Sequence, residues 1–138
     1  IISDGIEPLP GVQDLLRSLK SEQIACSIAS STPIANIEAV MSIIKLSDYF
    51  DAITAAEDVS NGKPSPEVFL KAAEKIKVDP KNCVVFEDAH VGIEAGLAAN
   101  MHVIAVATTH PIESLGNANT VTETLIGIDA EKIKMLLS

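Results

Sequence analysis

Apolar residues recur along the chain in two alternating rhythms, stripes of helical spacing and short unbroken runs. Val12, Leu15, Leu16 and Leu19 share one stripe and predict a helix over Pro10 to Leu19. Ile24 to Ala29 reads as a short buried strand. Thr32-Pro33 marks the next helix start, with the hydroxyl as N-cap and proline at the first helical position. Ile34, Ile37, Val40, Met41 and Ile44 give that helix its core face. Ala52 to Ala55 predicts a strand, and Asn61-Gly62-Lys63-Pro64-Ser65-Pro66 a loop rich in breakers.

The same alternation continues. Val68, Phe69, Ala72, Ala73 and Ile76 predict an amphipathic helix, and Cys83-Val84-Val85-Phe86 a strand apolar on both faces. Ala89 to Ala99 reads as a helix carrying Gly92 and Gly96 one turn apart, a pattern that points to close backbone packing. Met101 to Ala107 is a further strand, Thr108 to Asn119 a loop, and Asp129 caps a last helix through Ile133, Leu136 and Leu137. Helices alternating with continuously apolar strands call for an α/β fold, a parallel sheet covered on both faces with ligands at the carboxyl ends of its strands.

Composition narrows the function. At 138 residues the chain makes one domain, and with one tyrosine and three phenylalanines its core is aliphatic. A net charge of −9 argues against a nucleic-acid surface, which needs clustered Lys and Arg. No apolar stretch approaches the roughly 20 residues of a membrane span. The N-terminus, Ile1-Ile2-Ser3-Asp4, lacks the pattern of a signal peptide, and residues 1–10 read as a lead-in from something upstream. Cys26 and Cys83 read as small buried hydrophobes of a protein in a reducing cytoplasm, not as a disulfide or a metal clip.

Three polar spots fall just beyond predicted strands: Ser30, Lys63, and the adjacent carboxylates Glu87 and Asp88. A hydroxyl, an ammonium and an acidic pair at one sheet edge are the parts of a magnesium-dependent phosphoryl-transfer site. Each has a plainer reading alone. Ser30, Ser31 and Thr32 can cap a helix, Lys63 can be solvated, and Asp88 can cap the helix that follows it. Glu87-Asp88 is the strongest signal, because neighbouring carboxylates repel unless a cation or several donors neutralise them. His90 reads as a surface or capping residue, and His102 and His110 carry no partner spacing. Asp4-Gly5 reads as loop.

Together Pro8-Leu9-Pro10-Gly11-Val12, Ile28-Ala29-Ser30-Ser31-Thr32, Gly62-Lys63-Pro64-Ser65-Pro66-Glu67-Val68-Phe69 and Val85-Phe86-Glu87-Asp88-Ala89-His90-Val91-Gly92-Ile93-Glu94-Ala95 resemble the haloacid-dehalogenase-like superfamily. The likeness is to its β-phosphoglucomutase and sugar-phosphate phosphatase branch, over essentially the whole chain. It implies a Rossmann-like three-layer α/β/α core whose first, central strand and helical cap are missing here. Ser30 and Ser31 would then hold the transferring phosphoryl group, and Lys63 would neutralise it and the attacking carboxylate. Asp88 would ligate Mg²⁺, and Glu87 would do so directly or through water. The nucleophilic Asp belongs to the absent strand, which in the family lies between the strands ending at Ser30 and Asp88. Those two strands should therefore be about 10 Å apart with a slot between them. The same geometry would put Cys26 and Cys83 too far apart for a disulfide.

The resemblance implies a phosphatase of a small phosphorylated metabolite, a sugar phosphate above all, that needs its own upstream strand and cap and is inactive without them. A phosphosugar mutase is the second reading. Pro33 and Ile34 stand where the mutase has a cation and an amide, which favours the phosphatase. A third reading is a non-catalytic module that binds a phosphorylated ligand or a partner; the intact Lys63, Glu87 and Asp88 argue against it.

Overall fold

The computed structural model describes residues 11–30, 32–44, 46–107 and 110–137. Its elements run α1 (Val12–Ser21), β1 (Ser27–Ala29), α2 (Ile34–Ile44), β2 (Ala52–Thr54), α3 (Glu67–Ile76), β3 (Val84–Glu87), α4 (His90–Ala98), β4 (His102–Val106), β5 (Thr120–Thr122) and α5 (Ala130–Leu137), with 3₁₀ turns in several connections. No helix among the described residues is long and apolar enough to cross a membrane.

Every strand pairing is parallel, but the strands form two half-sheets instead of one. β1 pairs with β2, Ser27 opposite Ala52 and Ala29 opposite Thr54. β4 lies between β3 and β5, with Val84 opposite His102 and Ile104 opposite Thr120. Between β1 and β3 lies an apolar slot of about 190 Å³, lined from the two strands by Ser27, Ala29, Val84 and Val85 and from the helices by Leu19, Phe69 and Ile133.

Two apolar clusters cover the two faces. α1, α2 and α5 bury Leu15, Leu16, Leu19, Ile37, Met41 and Ile133 with Ile28 of β1 and Val106 of β4. α3 and α4 bury Val68, Phe69, Ala72, Ala73 and Ile93 with Ala29, Val85, Val103 and Ala105. Neighbouring residues Ile28 and Ala29 thus point to opposite faces, as a strand demands. The three-layer α/β/α arrangement expected from the sequence is present.

The helix predictions hold within a residue or two, and the strands differ more. β1 is only three residues long, because before Ser27 the chain is tied by the Asp51 side chain, whose Oδ2 accepts from the Cys26 amide at 2.9 Å, and not by a full ladder. The helix after Thr32 begins at Ile34, one residue later than expected. Asp129 caps α5 as expected, accepting from Lys132 N at 3.0 Å, and Ser18 of α1 adds a second cap through the Ala130 amide at 2.8 Å. β5 was not foreseen. Its three residues fall directly after the predicted loop, and His102 reaches across from β4 with Nε2 3.0 Å from Thr120 Oγ1.

Gly11 opens α1 at φ +87°, where an added Cβ would fall 2.5 Å from the Ile126 amide nitrogen. Only glycine fits both the left-handed backbone and the contact. Gly11→Ala is expected to destabilise the protein by about 3 kcal/mol, read as a lower denaturant midpoint at unchanged slope.

Candidate active site

Lys63, Glu87 and Asp88 come together at the carboxyl ends of the strands. Glu87 is the last residue of β3 and Asp88 follows it. Lys63 lies in the connection from β2 to α3, and its Nζ meets Glu87 Oε2 at 2.9 Å. Their side chains are 12% and 5% exposed, so the pair is nearly buried. Taking two charges out of water costs several kcal/mol each, and such a pair persists where every remaining partner is also supplied.

The partners are supplied. Glu87 Oε1 accepts from the amides of Asp88 at 3.1 Å and Ala89 at 3.3 Å. Lys63 Nζ lies 5.1 Å from the centre of the Phe69 ring, a cation–π contact from α3. Gly92 makes the space. A Cβ there would fall 2.0 Å from Glu87 Cδ, so a glycine one turn into α4 lets the carboxylate lie against the helix. Both glycines meet the expectation of close packing on the helix backbone, Gly92 with Glu87 and Gly96 with Val103, whose Cγ2 would lie 2.6 Å from an added Cβ.

The capping position of α4 falls on Ala89 and not on Asp88, and the Ala89 amide is taken by Glu87 Oε1 at 3.3 Å. Asp88 is half-buried, and its backbone amide donates to Glu87 Oε1 at 3.1 Å.

Ser30 stands one residue past β1. Its amide continues the ladder to the Thr54 carbonyl at 2.9 Å, and its Oγ accepts from the Thr32 amide at 3.1 Å. These bonds stay within its own half-sheet, at the carboxyl end of β1. Ser31 lies outside the described residues, as do Asp4-Gly5 and the lead-in 1–10.

The loop that carries Lys63 is fastened by residues that spacing alone did not single out. Glu67, at the start of α3, accepts from the amides of Ser60 at 2.9 Å and Asn61 at 3.0 Å, which holds its carboxyl below the usual range. Asp58 accepts from the Ala55 amide at 2.8 Å and pairs with Lys75 at 3.2 Å, and its carboxyl is depressed by the same two contacts. Glu57 binds the amide of Ile34 with both oxygens, at 2.9 and 3.2 Å. The sequence sign for all three is an acid placed where a breaker-rich loop leaves amides without strand partners.

The cysteines take no part. Burial, followed by the nearby Asp51 charge, pushes the Cys26 thiol up to about 11, and burial also raises Cys83. Both are free and both line the slot between the half-sheets. His90 Nε2 lies 3.1 Å from the Ser114 carbonyl, and its ring lies 4.4 Å from that of His110.

An ammonium, two carboxylates and a hydroxyl at the open ends of parallel strands are shared by several phosphate-handling folds. Comparison with known proteins decides among them. A family model described as haloacid dehalogenase-like hydrolase matches residues 2–106. The chain belongs to the haloacid dehalogenase-like hydrolases. Among curated relatives, it is 40% identical over 134 residues to a bifunctional riboflavin kinase/FMN phosphatase of Arabidopsis thaliana, covering 94% of this chain and 35% of that protein. It is 41% identical over 107 residues to a fructose-1-phosphate phosphatase of Escherichia coli (strain K12), covering 77% of this chain and 55% of that one. Among solved structures, a β-phosphoglucomutase from Clostridium difficile superposes with a TM-score of 0.84 at 36% identity, over 94% of this chain and 56% of the other. This hydrolase chain therefore spans between about a third and just over half the length of these relatives.

Proposed function

We propose that the protein carrying this chain is a magnesium-dependent phosphatase of small phosphorylated metabolites, with sugar and polyol monophosphates first. The observation that carries this reading is the nearly buried Lys63–Glu87 pair beside Asp88 at the carboxyl edge of the sheet. A lysine held there by a fixed carboxylate presents its positive charge at one place, ready for the negative charge that grows on a phosphoryl group in transfer. Relatives named as phosphatases of FMN and fructose 1-phosphate support the reaction class.

In this reading each residue has one task. Lys63 neutralises the phosphoryl oxygens and the attacking carboxylate. Glu87, with both oxygens already engaged, fixes the direction of the Lys63 ammonium. Ser30 donates its hydroxyl proton to a phosphoryl oxygen while its oxygen keeps the Thr32 amide. Asp88, with Glu87 behind it, holds the metal.

The donor set suits magnesium. It consists of hard carboxylate oxygens, and no group of three metal-binding side chains occurs among the described residues. Mg²⁺ is commonly held by one or two carboxylates and otherwise by water and phosphate oxygens. Bound there, it would supply further positive charge to the phosphoryl oxygens. The attacking aspartate would come from an extended apolar segment seated between β1 and β3, where the slot offers two open strand edges and apolar walls. Without that segment the chain is expected to be inactive.

The test is phosphate release by the whole protein across sugar phosphates, polyol phosphates and FMN, before and after chelation. Release that disappears with chelator and returns with added Mg²⁺ is the expected result. A metal-loaded protein that hydrolyses none of them defeats the proposal.

A further inference from the structure

The start of α2 lies within a few residues of Ser30, on the same loop. Such a helix start is where a second anionic group on a substrate would settle, drawn by amides and by the positive end of the helix dipole. In this chain much of that position is already occupied. Both oxygens of Glu57 lie on the Ile34 amide at 2.9 and 3.2 Å, the Thr32 amide is committed to Ser30 Oγ at 3.1 Å, and Pro33 has no amide hydrogen to give.

Glu57 is held in place from the other side as well. The neighbouring Ala56 amide donates to the Thr32 carbonyl at 3.0 Å, which stitches the 55–58 turn to the Ser30 loop. An exposed carboxylate is therefore fixed at the start of α2, on the loop that carries Ser30.

We propose that Glu57 sets the charge specificity of this site: it admits monophosphates with uncharged, hydroxylated leaving groups and rejects substrates that carry a second anionic group. The inference rests on the phosphatase reading for its reaction and on the Glu57 bonds alone for its selectivity. It acts by occupation and by repulsion together. A second phosphate would find the Thr32 and Ile34 amides taken and would meet a like charge. Because Glu57 is exposed, the repulsive part weakens as salt is raised.

The experiment compares fructose 1-phosphate with fructose 1,6-bisphosphate, two probes that differ by one phosphate, in the whole protein and in Glu57→Gln. Glutamine keeps a carbonyl oxygen for the Ile34 amide and removes the charge, so the helix start survives. Glu57→Ala, which removes the cap too, serves as the comparison for lost structure. In the wild type kcat/KM should favour the monophosphate, and Glu57→Gln should narrow that preference about tenfold, with the change in the KM of the bisphosphate. The wild-type preference should also shrink as ionic strength rises, and that of Glu57→Gln should respond less.

An unmoved ratio in Glu57→Gln overturns the proposal. Should the wild type hydrolyse neither probe, the phosphatase reading fails separately, and calorimetric binding of the same two probes decides the selectivity. Tighter bisphosphate binding relative to monophosphate in Glu57→Gln upholds it. Equal changes for both probes, or no binding of either, overturn it.

Discussion

Lys63→Met in the whole protein is expected to abolish metal-dependent phosphate release and to destabilise the fold by about 3–5 kcal/mol, because it strands the Glu87 carboxylate in a nearly buried position without its cation. The two losses have different origins, and a second substitution separates them. Adding Glu87→Gln removes the stranded charge while leaving an oxygen for the Asp88 and Ala89 amides. The double variant should therefore regain most of the stability and none of the activity. Denaturant unfolding reads the first and phosphate release the second. Recovery of activity in the double variant would show that the ammonium is structural only. A single variant as stable as the wild type would show that the pair carries no desolvated charge.

Gly92→Ala is the second large effect, and its sign runs against helix propensity. Alanine gains about 1 kcal/mol over glycine inside a helix. Here the new methyl group would fall 2.0 to 2.2 Å from Glu87 Cδ, Oε2 and Cγ. Glu87 cannot swing aside without leaving Lys63 and two backbone amides, so the substitution is expected to be destabilising on balance by about 2 kcal/mol or more. A displacement of the ammonium by even an ångström should lower kcat about a hundredfold. Gly96→Ala is the informative contrast. It presses on Val103 instead, one turn further along α4, and should cost stability while leaving the site's geometry alone. Equal kcat values for the two variants would remove Glu87 from the site.

How much of this was readable in advance depended on range. Helical stripes are local, and the residues at 12, 15, 16 and 19 and at 68, 69, 72 and 73 are buried as their spacing required. Strand ends were less readable, because a ladder depends on its neighbour. Ile24 to Cys26 has strand character, yet the chain there is fastened by the carboxylate of Asp51, 25 residues away. β5, a run of Thr120, Val121 and Thr122 after a long loop, is too short to carry a period.

The site divides the same way. Lys63, Glu87 and Asp88 were recognisable from residue type and position beyond strands, and the first two meet at 2.9 Å. That Lys63 binds Glu87, 24 residues on, was not readable, nor that Gly92 is the space their bond requires. Glu57 was invisible as a cap, because the helix it closes begins 23 residues before it. Local patterns name the parts, and the pairing of charges across the fold assigns their partners.

The Lys63–Glu87 bond joins the connection leaving β2 to the last residue of β3, so it buckles together two half-sheets that share no backbone ladder. A buckle across a seam has its reach fixed by the seam's width. A backbone segment seated in the gap, as proposed, would set the width that this buckle has to span. On the proposed reading, completing the sheet would then lock the seam that this pair already spans.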